Sequence, residues 1–295
     1  MARKLVLGAG YLGSRVANRW AEQGHQVHVV TRSPEKAQRF GQCGWQVHQG
    51  DITQPESLAS LATWTFDTVL YAVGYDPRSG IPRAVVTLQG LQHMIALLAN
   101  RTARWIHIST TGVYGQQDGA WVDEASPCSP QHEAGQLAWQ AEQAVHAGWS
   151  ERCQGGGSYC LLRLAGIYGP ERLLARGADL RRGEPLAGSP DAWLNLIHVE
   201  DAVTAVLRCE QILGSERLAS GSVVLVCDDH PVLRGEYYAY LAQLLGAPPP
   251  VFDPSRAPRQ GSGGLNKRCC NRRLRAELQV PLTYPTYIHG LSALL

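Results

Sequence analysis

A glycine-rich turn near residue 8 limits the fold of this chain more than any other feature of its sequence. Gly8, Gly10 and Gly13 keep the spacing Gly-x-Gly-x-x-Gly directly after the apolar run 4–8 and directly before the helix-like segment 11–24. In such a turn the first glycine permits a sharp bend, the second lets the backbone approach a pyrophosphate, and the third lets the helix pack on the strand. The N-terminus of a helix also attracts anions. The turn therefore predicts a dinucleotide-binding unit, and a glycine turn without a ligand is the alternative.

Short apolar runs alternate with helix-sized segments over the first 165 residues. The runs that we predict to be strands are 4–8, 26–31, 45–50, 67–74, 104–109 and 159–166. Several are apolar nearly throughout, as strands are when both faces of a sheet are covered. Segment 53–62 is predicted to be a helix that opens with a capping box at Thr53 and Glu56. The alternation predicts an α/β fold of the Rossmann type, a doubly wound parallel sheet whose ligands bind at the carboxyl ends of the strands.

The strand–helix rhythm breaks after residue 166, where segments rich in arginine, proline and glycine begin. We therefore predict a Rossmann domain formed by 1–165 and 193–228, and a smaller, mostly C-terminal substrate lobe formed by 166–192 and 229–295. Four arginines of this lobe either meet an anionic substrate or form a solvated helix face: Arg172, Arg176, Arg181 and Arg182.

The end of the second predicted strand indicates which dinucleotide binds. An NAD enzyme commonly carries an acidic residue there for the ribose 2′-hydroxyl, whereas this chain has Thr31 and Arg32, with no acid before Glu35. Because an arginine pairs well with a phosphate, we expect NADP, with NAD or a merely solvated arginine as the alternatives. Asp51 follows the third strand and is predicted either to contact the adenine amino group or to act only as a turn residue.

The composition excludes several other classes of protein. The formal net charge is +2 and no long basic run occurs, so nothing predicts binding to nucleic acid or to a membrane surface. The eight cysteines form no Cys-x-x-Cys pair and no zinc-like spacing with histidine, so no metal is expected. The first residues lead directly into a strand, and no apolar stretch of 18 residues follows. The expected location is therefore the cytoplasm.

Five further segments carry a resemblance to a known family: 50–58 (GDITQPESL), 109–115 (STTGVYG), 162–170 (LRLAGIYGP), 194–203 (LNLIHVEDAV) and 265–278 (LNKRCCNRRLRAEL). Together with the glycine turn, they resemble, in the right order, the extended short-chain dehydrogenase/reductases of the NAD-dependent epimerase/dehydratase group, and in particular small bacterial members that resemble sugar-nucleotide epimerases. One departure is Leu7, which stands where that family usually has the first glycine of Gly-x-x-Gly-x-x-Gly.

The resemblance implies a set of site residues and partners. Thr110, five residues before Gly115, would be the catalytic hydroxyl. The implied cofactor contacts are Gly8, Gly10, Tyr11, Leu12, Gly13, Thr31, Arg32, Asp51, Ile52, Ala72 and Ser109. The substrate would be a small molecule of the nucleotide-sugar kind. A homodimer through helices 82–99 and 131–147 is also implied, although the apolar residues of both segments could equally face the protein's own core.

The family's general base is absent from the expected place. The family has a tyrosine, a lysine four residues later and usually a glutamate four residues after that. Counting back from Glu142, these positions hold Ala138 and Ala134, and no lysine occurs between Lys36 and Lys267. We therefore predict an NAD(P)-binding, epimerase/dehydratase-like oxidoreductase that lacks the Tyr-x-x-x-Lys pair, and the alternative is a non-catalytic NADP sensor or interaction protein. The candidate stand-ins for the base are His132, Glu133 and His198, and Tyr114 is the nearest phenol, although it belongs to the turn motif and is expected to pack there; each also has a purely structural interpretation.

Overall fold

The computed structural model of the chain describes residues 1–152, 156–172, 174–253, 255–256 and 265–294. Its strands are β1 (Arg3–Leu7), β2 (Gln26–Thr31), β3 (Gln46–Gln49), β4 (Phe66–Tyr71), β5 (Thr102–Thr110), β6 (Trp121–Val122), β7 (Ser158–Leu164), β8 (Gly166–Tyr168), β9 (Leu186–Ala187), β10 (Trp193–Leu194), β11 (Leu196–His198), β12 (Ser222–Val226), β13 (Val232–Leu233), β14 (Phe252–Asp253) and β15 (Arg268–Cys269). Its α-helices are α1 (Gly13–Glu22), α2 (Pro34–Gln42), α3 (Gly90–Leu98), α4 (Glu133–Arg152), α5 (Leu174–Arg181), α6 (Val199–Ile212), α7 (Arg234–Leu244), α8 (Arg272–Ala276) and α9 (Tyr287–Ser292).

A seven-stranded sheet of order β12-β7-β5-β4-β1-β2-β3 forms the scaffold. The neighbours β5, β4, β1, β2 and β3 are all paired in parallel. Because the chain passes from β3 across β1 to β4, the strand order reverses at β1, which is where sheets of this kind bind ligands. The predicted Rossmann-type α/β fold is confirmed.

Contacts between residues divide the chain into two compact units. Unit 1 consists of 1–109, 136–162 and 205–224, and unit 2 consists of 110–135, 163–204 and 225–295. Each unit is therefore formed by three segments that are separate in the sequence. The sequence predicts other boundaries, a Rossmann domain of 1–165 with 193–228 and a substrate lobe of 166–192 with 229–295. These domain boundaries stay a prediction.

The core of unit 1 lies between the sheet and the helices α3 and α4. Leu91 and Ile95 on α3 and Ala141 and Val145 on α4 are buried in it, at 3 % exposure or less. These residues belong to the two segments expected to form a dimer interface, and here they contact the protein's own interior. The homodimer itself stays a prediction.

The predicted capping box at residues 53–62 is wrong. The segment forms a 3-10 helix, Pro55–Thr63, with Gln54 in the cap position. The hydroxyl of Thr53 instead donates to the carboxylate of Asp51 at 2.8 Å. The amide of Thr53 also donates to this carboxylate, so Thr53 belongs to a local turn closed by the Asp51 side chain and not to a helix cap.

Among the described residues, unit 2 contains short strand pairs and the helices α5, α7, α8 and α9. The strand pairs are β8 with β11, β6 with β15, β9 with β14, and β10 with β13. Its core contains residues from α5, α7 and α9, among them Leu180, Leu241 and Leu291. Within the described residues, no helix is long and apolar enough to cross a membrane.

Candidate nucleotide-binding and active site

The turn between β1 and α1 accepts only glycine at two positions. Gly8 has φ +94°, and a Cβ there would lie 2.5 Å from the carbonyl carbon of Ala72. A Cβ at Gly13 would lie 2.3 Å from the carbonyl oxygen of Gly8. Both contacts are too short for any side chain, so β1, β4 and the first turn of α1 meet closely because these residues are glycines.

Gly10 differs from the other two glycines of the turn. A Cβ at Gly10 would have no heavy atom of the described residues within 4 Å, and the residue is exposed. The absence of a side chain is therefore not required by the protein's own packing, whereas it leaves the backbone open to an approaching group. Beside it Leu12 is buried, and Tyr11 is partly buried under the guanidinium of Arg15, whose carbon lies 4.3 Å from the ring centroid.

The ends of β2 and β3 carry a charge pair. Arg32 Nη1 lies 3.2 Å from Asp51 Oδ2, and the arginine side chain is 49 % exposed. Partial burial acts to raise the pKa of Asp51, but hydrogen bonds from the amide and hydroxyl of Thr53 and from Arg32 outweigh it and hold the pKa below its usual value. Thr31 is buried, and its hydroxyl accepts from the amide of Ser33 at 3.2 Å.

Two implied contact residues connect this edge to the core of unit 1. The amide of Ala72, directly after β4, donates to the carbonyl of Leu7 at 2.8 Å, which fixes the backbone that faces Gly8. Ile52 is buried, and its side chain occupies the space that a Cβ at Gly90 would need, 2.7 Å from Ile52 Cδ1.

A buried hydrogen bond joins α4 to β5 inside unit 1. The hydroxyl of Ser109, 8 % exposed, donates to the carboxylate of Glu142, 1 % exposed, at 2.5 Å. Residues four apart share a helix face, so Ala138 lies one turn earlier on the same face as Glu142. In the sequence, Glu142 serves only as the position from which the lysine and tyrosine positions are counted. The sequence does not predict its burial against Ser109.

Thr110 ends β5, and its hydroxyl accepts a hydrogen bond from the amide of Gly112 at 3.1 Å. The side chain is half-buried. A Cβ at Gly135 would lie 2.4 Å from the carbonyl oxygen of Gly112, so the first turn of α4 packs directly on this loop within unit 2. The hydroxyl retains its proton for donation, because the bond to Gly112 uses only a lone pair.

The candidate stand-ins for a base differ in burial. Tyr114 is fully buried, and its hydroxyl accepts from Arg163 Nη1 at 2.6 Å; burial raises its pKa despite that guanidinium. His198 is buried, with its ring centroid 3.8 Å from that of Tyr284. These surroundings favour the structural interpretation of both, whereas His132 and Glu133 are exposed at the start of α4. The described residues contain no group of three His, Cys, Asp or Glu side chains suited to a metal ion.

Lys267 contributes a contact that sequence reasoning missed. It is 3 % exposed, and its Nζ donates to the carbonyl of Tyr114 at 3.1 Å. Burial lowers its pKa. Two residues on, Cys269 pairs with Val122 in the β6–β15 ladder, so the segment holds the loop after β5 in place. In the sequence, only the resemblance of 265–278 to a family element points to this segment.

Known proteins that resemble this chain identify its family. The model of the NAD dependent epimerase/dehydratase family matches residues 4–213. Protein YeeZ of Escherichia coli (strain K12) is 28% identical over 291 residues, which cover 95% of this chain and 97% of YeeZ. A solved structure of a functionally unknown conserved protein from Silicibacter pomeroyi DSS is 30% identical, with a TM-score of 0.78, and the match covers 100% of this chain and 98% of that one.

A more distant structure shares the fold. UDP-glucuronic acid 4-epimerase from Bacillus cereus, solved in complex with UDP-glucuronic acid and NAD, is 17% identical with a TM-score of 0.80, over 99% of this chain and 97% of that one. At this identity the likeness concerns the fold alone. The family match spans most of the chain and includes the glycine turn, β5 and α4. The chain belongs to the NAD dependent epimerase/dehydratase family, whose members are extended short-chain dehydrogenase/reductases.

Proposed function

We propose that this chain binds a nicotinamide dinucleotide at the turn between β1 and α1 and acts as an epimerase/dehydratase-like oxidoreductase on a small substrate of the nucleotide-sugar class. The geometry of the turn carries the proposal. Gly8 and Gly13 are required by close packing, whereas the bare backbone of Gly10 faces open space. This is the arrangement that a pyrophosphate at a helix N-terminus needs.

Each of the surrounding residues has a definite task in this proposal. Gly10 lets the backbone approach the pyrophosphate, and Ala72 keeps β4 close enough to β1 to shape the turn. The bound dinucleotide supplies the hydride acceptor or donor. The protein's part is to hold and orient it and to bind the substrate oxygen. The Bacillus cereus enzyme, which holds both a nucleotide sugar and NAD, supports the substrate class at the level of the fold.

We further propose that NADP is preferred over NAD. Arg32 is half-exposed at the end of β2 and contacts Asp51 through Nη1, 3.2 Å from the carboxylate. A guanidinium has five donors, so Arg32 can keep this partner and still donate to a 2′-phosphate. The carboxylate of Asp51 then positions the guanidinium and is available to the adenine amino group.

The acid/base pair of the family is replaced in this proposal by two alanines. The family spacing, counted back from Glu142, places Ala138 at the lysine position and Ala134 at the tyrosine position, one and two helical turns before the residue that bonds Ser109. A methyl group transfers no proton, and a positioned acid/base typically contributes about 10²–10⁴-fold to the rate. Thr110 remains as the hydroxyl that donates to a substrate oxygen, so any turnover is expected to be slow and to depend on it.

The experiment restores the missing pair. We expect the Ala134→Tyr/Ala138→Lys variant to turn over nucleotide sugars with NADP about 10²–10⁴ times faster than the wild type. The matched control is Gln136→Tyr/Gln140→Lys, which has the same spacing on an exposed face of α4 and should give no gain. Robust wild-type turnover that survives Thr110→Ala would contradict the proposal, because it would require a different acid/base.

A second candidate function is a non-catalytic NADP sensor or interaction protein. The two alanines favour it, since binding needs neither the tyrosine nor the lysine. Tight NADP binding by the wild type, with no turnover of any nucleotide sugar in a panel, would decide for the sensor. Turnover that falls at least tenfold in Thr110→Ala would decide for the enzyme.

A further inference from the structure

Three helices of unit 2 surround a cavity of about 360 Å³. Leu241 and Leu245 from α7 and the turn after it line one side, and Leu291 and Leu294 from α9 and the turn after it line another. Leu241 and Leu291 are buried in the core of unit 2, while Leu245 and Leu294 pack partly buried against it. The wall is therefore apolar, and the volume suits a small organic ligand.

One charged side chain lies over this wall. Arg181 ends α5, one turn after Gly177, which also lines the cavity. The position of a Cβ at Gly177 lies 3.2 Å from Leu245 Cδ1 and 3.9 Å from Arg181 Nη1. The exposed guanidinium therefore lies near Leu245 at the rim of the cavity.

Arg181 differs from the neighbouring arginines in its ion pairing. Arg182 and Arg176 share the carboxylate of Asp179, at 2.8 and 3.9 Å, and Arg182 also pairs with Glu184 at 2.8 Å. Arg181 has no carboxylate partner among the described residues. Its donors remain available to a bound carboxylate, which an arginine holds in a bidentate way.

A charge of opposite sign lines the same cavity. Glu171 follows Gly169 and Pro170, which also line it, and has no basic partner among the described residues. Its φ is +69°, in the left-handed region that residues other than glycine rarely adopt. Strained backbone of this kind collects at ligand-binding positions. The cavity therefore combines an apolar wall with one cationic and one anionic side chain that do not neutralise each other.

We propose that this cavity binds a small zwitterion with an apolar side chain, an apolar α-amino acid. The carboxylate of the ligand pairs with Arg181, its ammonium group pairs with Glu171, and its side chain lies against the four leucines. Each charge of the ligand meets its opposite, and the apolar part leaves water. All residues of this site belong to unit 2, and the proposal does not depend on the proposed function.

The test is a calorimetric titration of the full-length protein with L-leucine. Hexanoate and hexylamine serve as probes that carry the apolar chain with only one of the two charges. We expect saturable binding of L-leucine and affinities at least about tenfold weaker for both single-charge probes, as the loss of one charge-assisted hydrogen bond implies. Hexanoate that binds as tightly as L-leucine would overturn the assignment of a zwitterion, and so would the absence of saturable binding.

Substitutions of the two charged residues test whether the ligand binds in this cavity. Arg181→Gln and Glu171→Gln should each weaken L-leucine binding at least about tenfold. Arg182→Gln is the matched control, because Arg182 is the adjacent arginine, pairs with Asp179 and Glu184, and does not line the cavity; it should bind L-leucine like the wild type. Unchanged affinity in Arg181→Gln would overturn the proposal, since both side chains are exposed and the fold does not depend on them.

Discussion

The carboxylate of Glu142 on α4 accepts a hydrogen bond from the hydroxyl of Ser109 on β5 in the interior of unit 1. Both side chains are buried, so this bond ties the Glu142 face of α4 to the end of β5. Ala138 and Ala134 follow at successive turns on the same helix face toward its N-terminus. The proposal that these alanines occupy the acid/base positions therefore has a structural reference point in addition to the spacing in the sequence.

Ser109→Ala should lower the free energy of unfolding by about 1–3 kcal/mol, because it leaves the buried carboxylate of Glu142 without this donor. Urea denaturation measures the effect. Ser60→Ala, at an exposed position, is the control and should change stability by less than about 0.5 kcal/mol. Equal stability of both variants would show that Glu142 does not rely on Ser109.

Glu210→Gln should destabilise the fold by about 3–5 kcal/mol, the usual cost of breaking a buried ion pair. Glu210 pairs with the buried Lys4 and also accepts hydrogen bonds from Trp20 Nε1 and the hydroxyl of Thr68, each at 2.7 Å. Glu22→Gln breaks the exposed pair with Arg19 and should cost less than about 1 kcal/mol. Thermal or urea unfolding of the two variants side by side checks the contrast, and similar losses would contradict it.

Asp228 should make the stability of the protein depend on pH. Burial raises its pKa to about 8, and Asp229 and Asp201 act in the same direction. Between the usual value of about 3.9 and pH 8, the folded state holds a proton that the unfolded chain has released. Raising the pH through this window therefore lowers the free energy of unfolding, by at most about 1.4 kcal/mol per unit, and the decline ends above pH 8.

Asp228→Asn removes this titration. Its free energy of unfolding should decline less than that of the wild type between pH 5 and 8, in urea denaturation at several pH values. Asp191→Asn, an exposed position, should follow the wild-type curve. Parallel curves for wild type and Asp228→Asn would mean that Asp228 titrates as it does in water.

The local sequence patterns predicted the sheet well because each strand is a short apolar run between a turn and a helix. They failed where a partner comes from elsewhere in the chain. The run 159–166 reads as one strand, yet β7 ends at Leu164, and β8 begins at Gly166 because it pairs with β11. No periodicity within the run could reveal that change of partner.

The candidate site shows the same contrast between local features, which the sequence predicts, and long-range contacts, which it does not. The glycine spacing is local and could be interpreted from the sequence. The contact between Arg32 and Asp51 depends on β2 and β3 ending side by side, and the contact between Lys267 and Tyr114 depends on a distant segment returning to the loop after β5. Such contacts are set by tertiary packing, so composition and spacing carry no signal for them.

Arg32→Ala should weaken NADP binding about 5–10-fold and leave NAD binding unchanged. This loss of affinity lies at the lower end of the range for a charge-assisted hydrogen bond, because the Arg32 side chain is half-exposed and water screens its charge. Titration of both dinucleotides against wild type, Arg32→Ala and the exposed control Arg39→Ala makes the comparison. Equal wild-type affinities for NADP and NAD would remove the proposed role of Arg32.

The central claim, that a dinucleotide binds over the bare backbone of Gly10, is tested most directly by calorimetric titration of NADP into wild type, Gly10→Val and Gly41→Val. Within the part of the chain that the structure describes, a Cβ at either glycine meets no heavy atom within 4 Å, and neither residue has a positive φ, so both variants should fold. The account predicts saturable binding by wild type and Gly41→Val, and at least about tenfold weaker binding by Gly10→Val, whose side chain would fill the space of the pyrophosphate. NADP binding that is equally tight in Gly10→Val, or absent from the wild type, would contradict it.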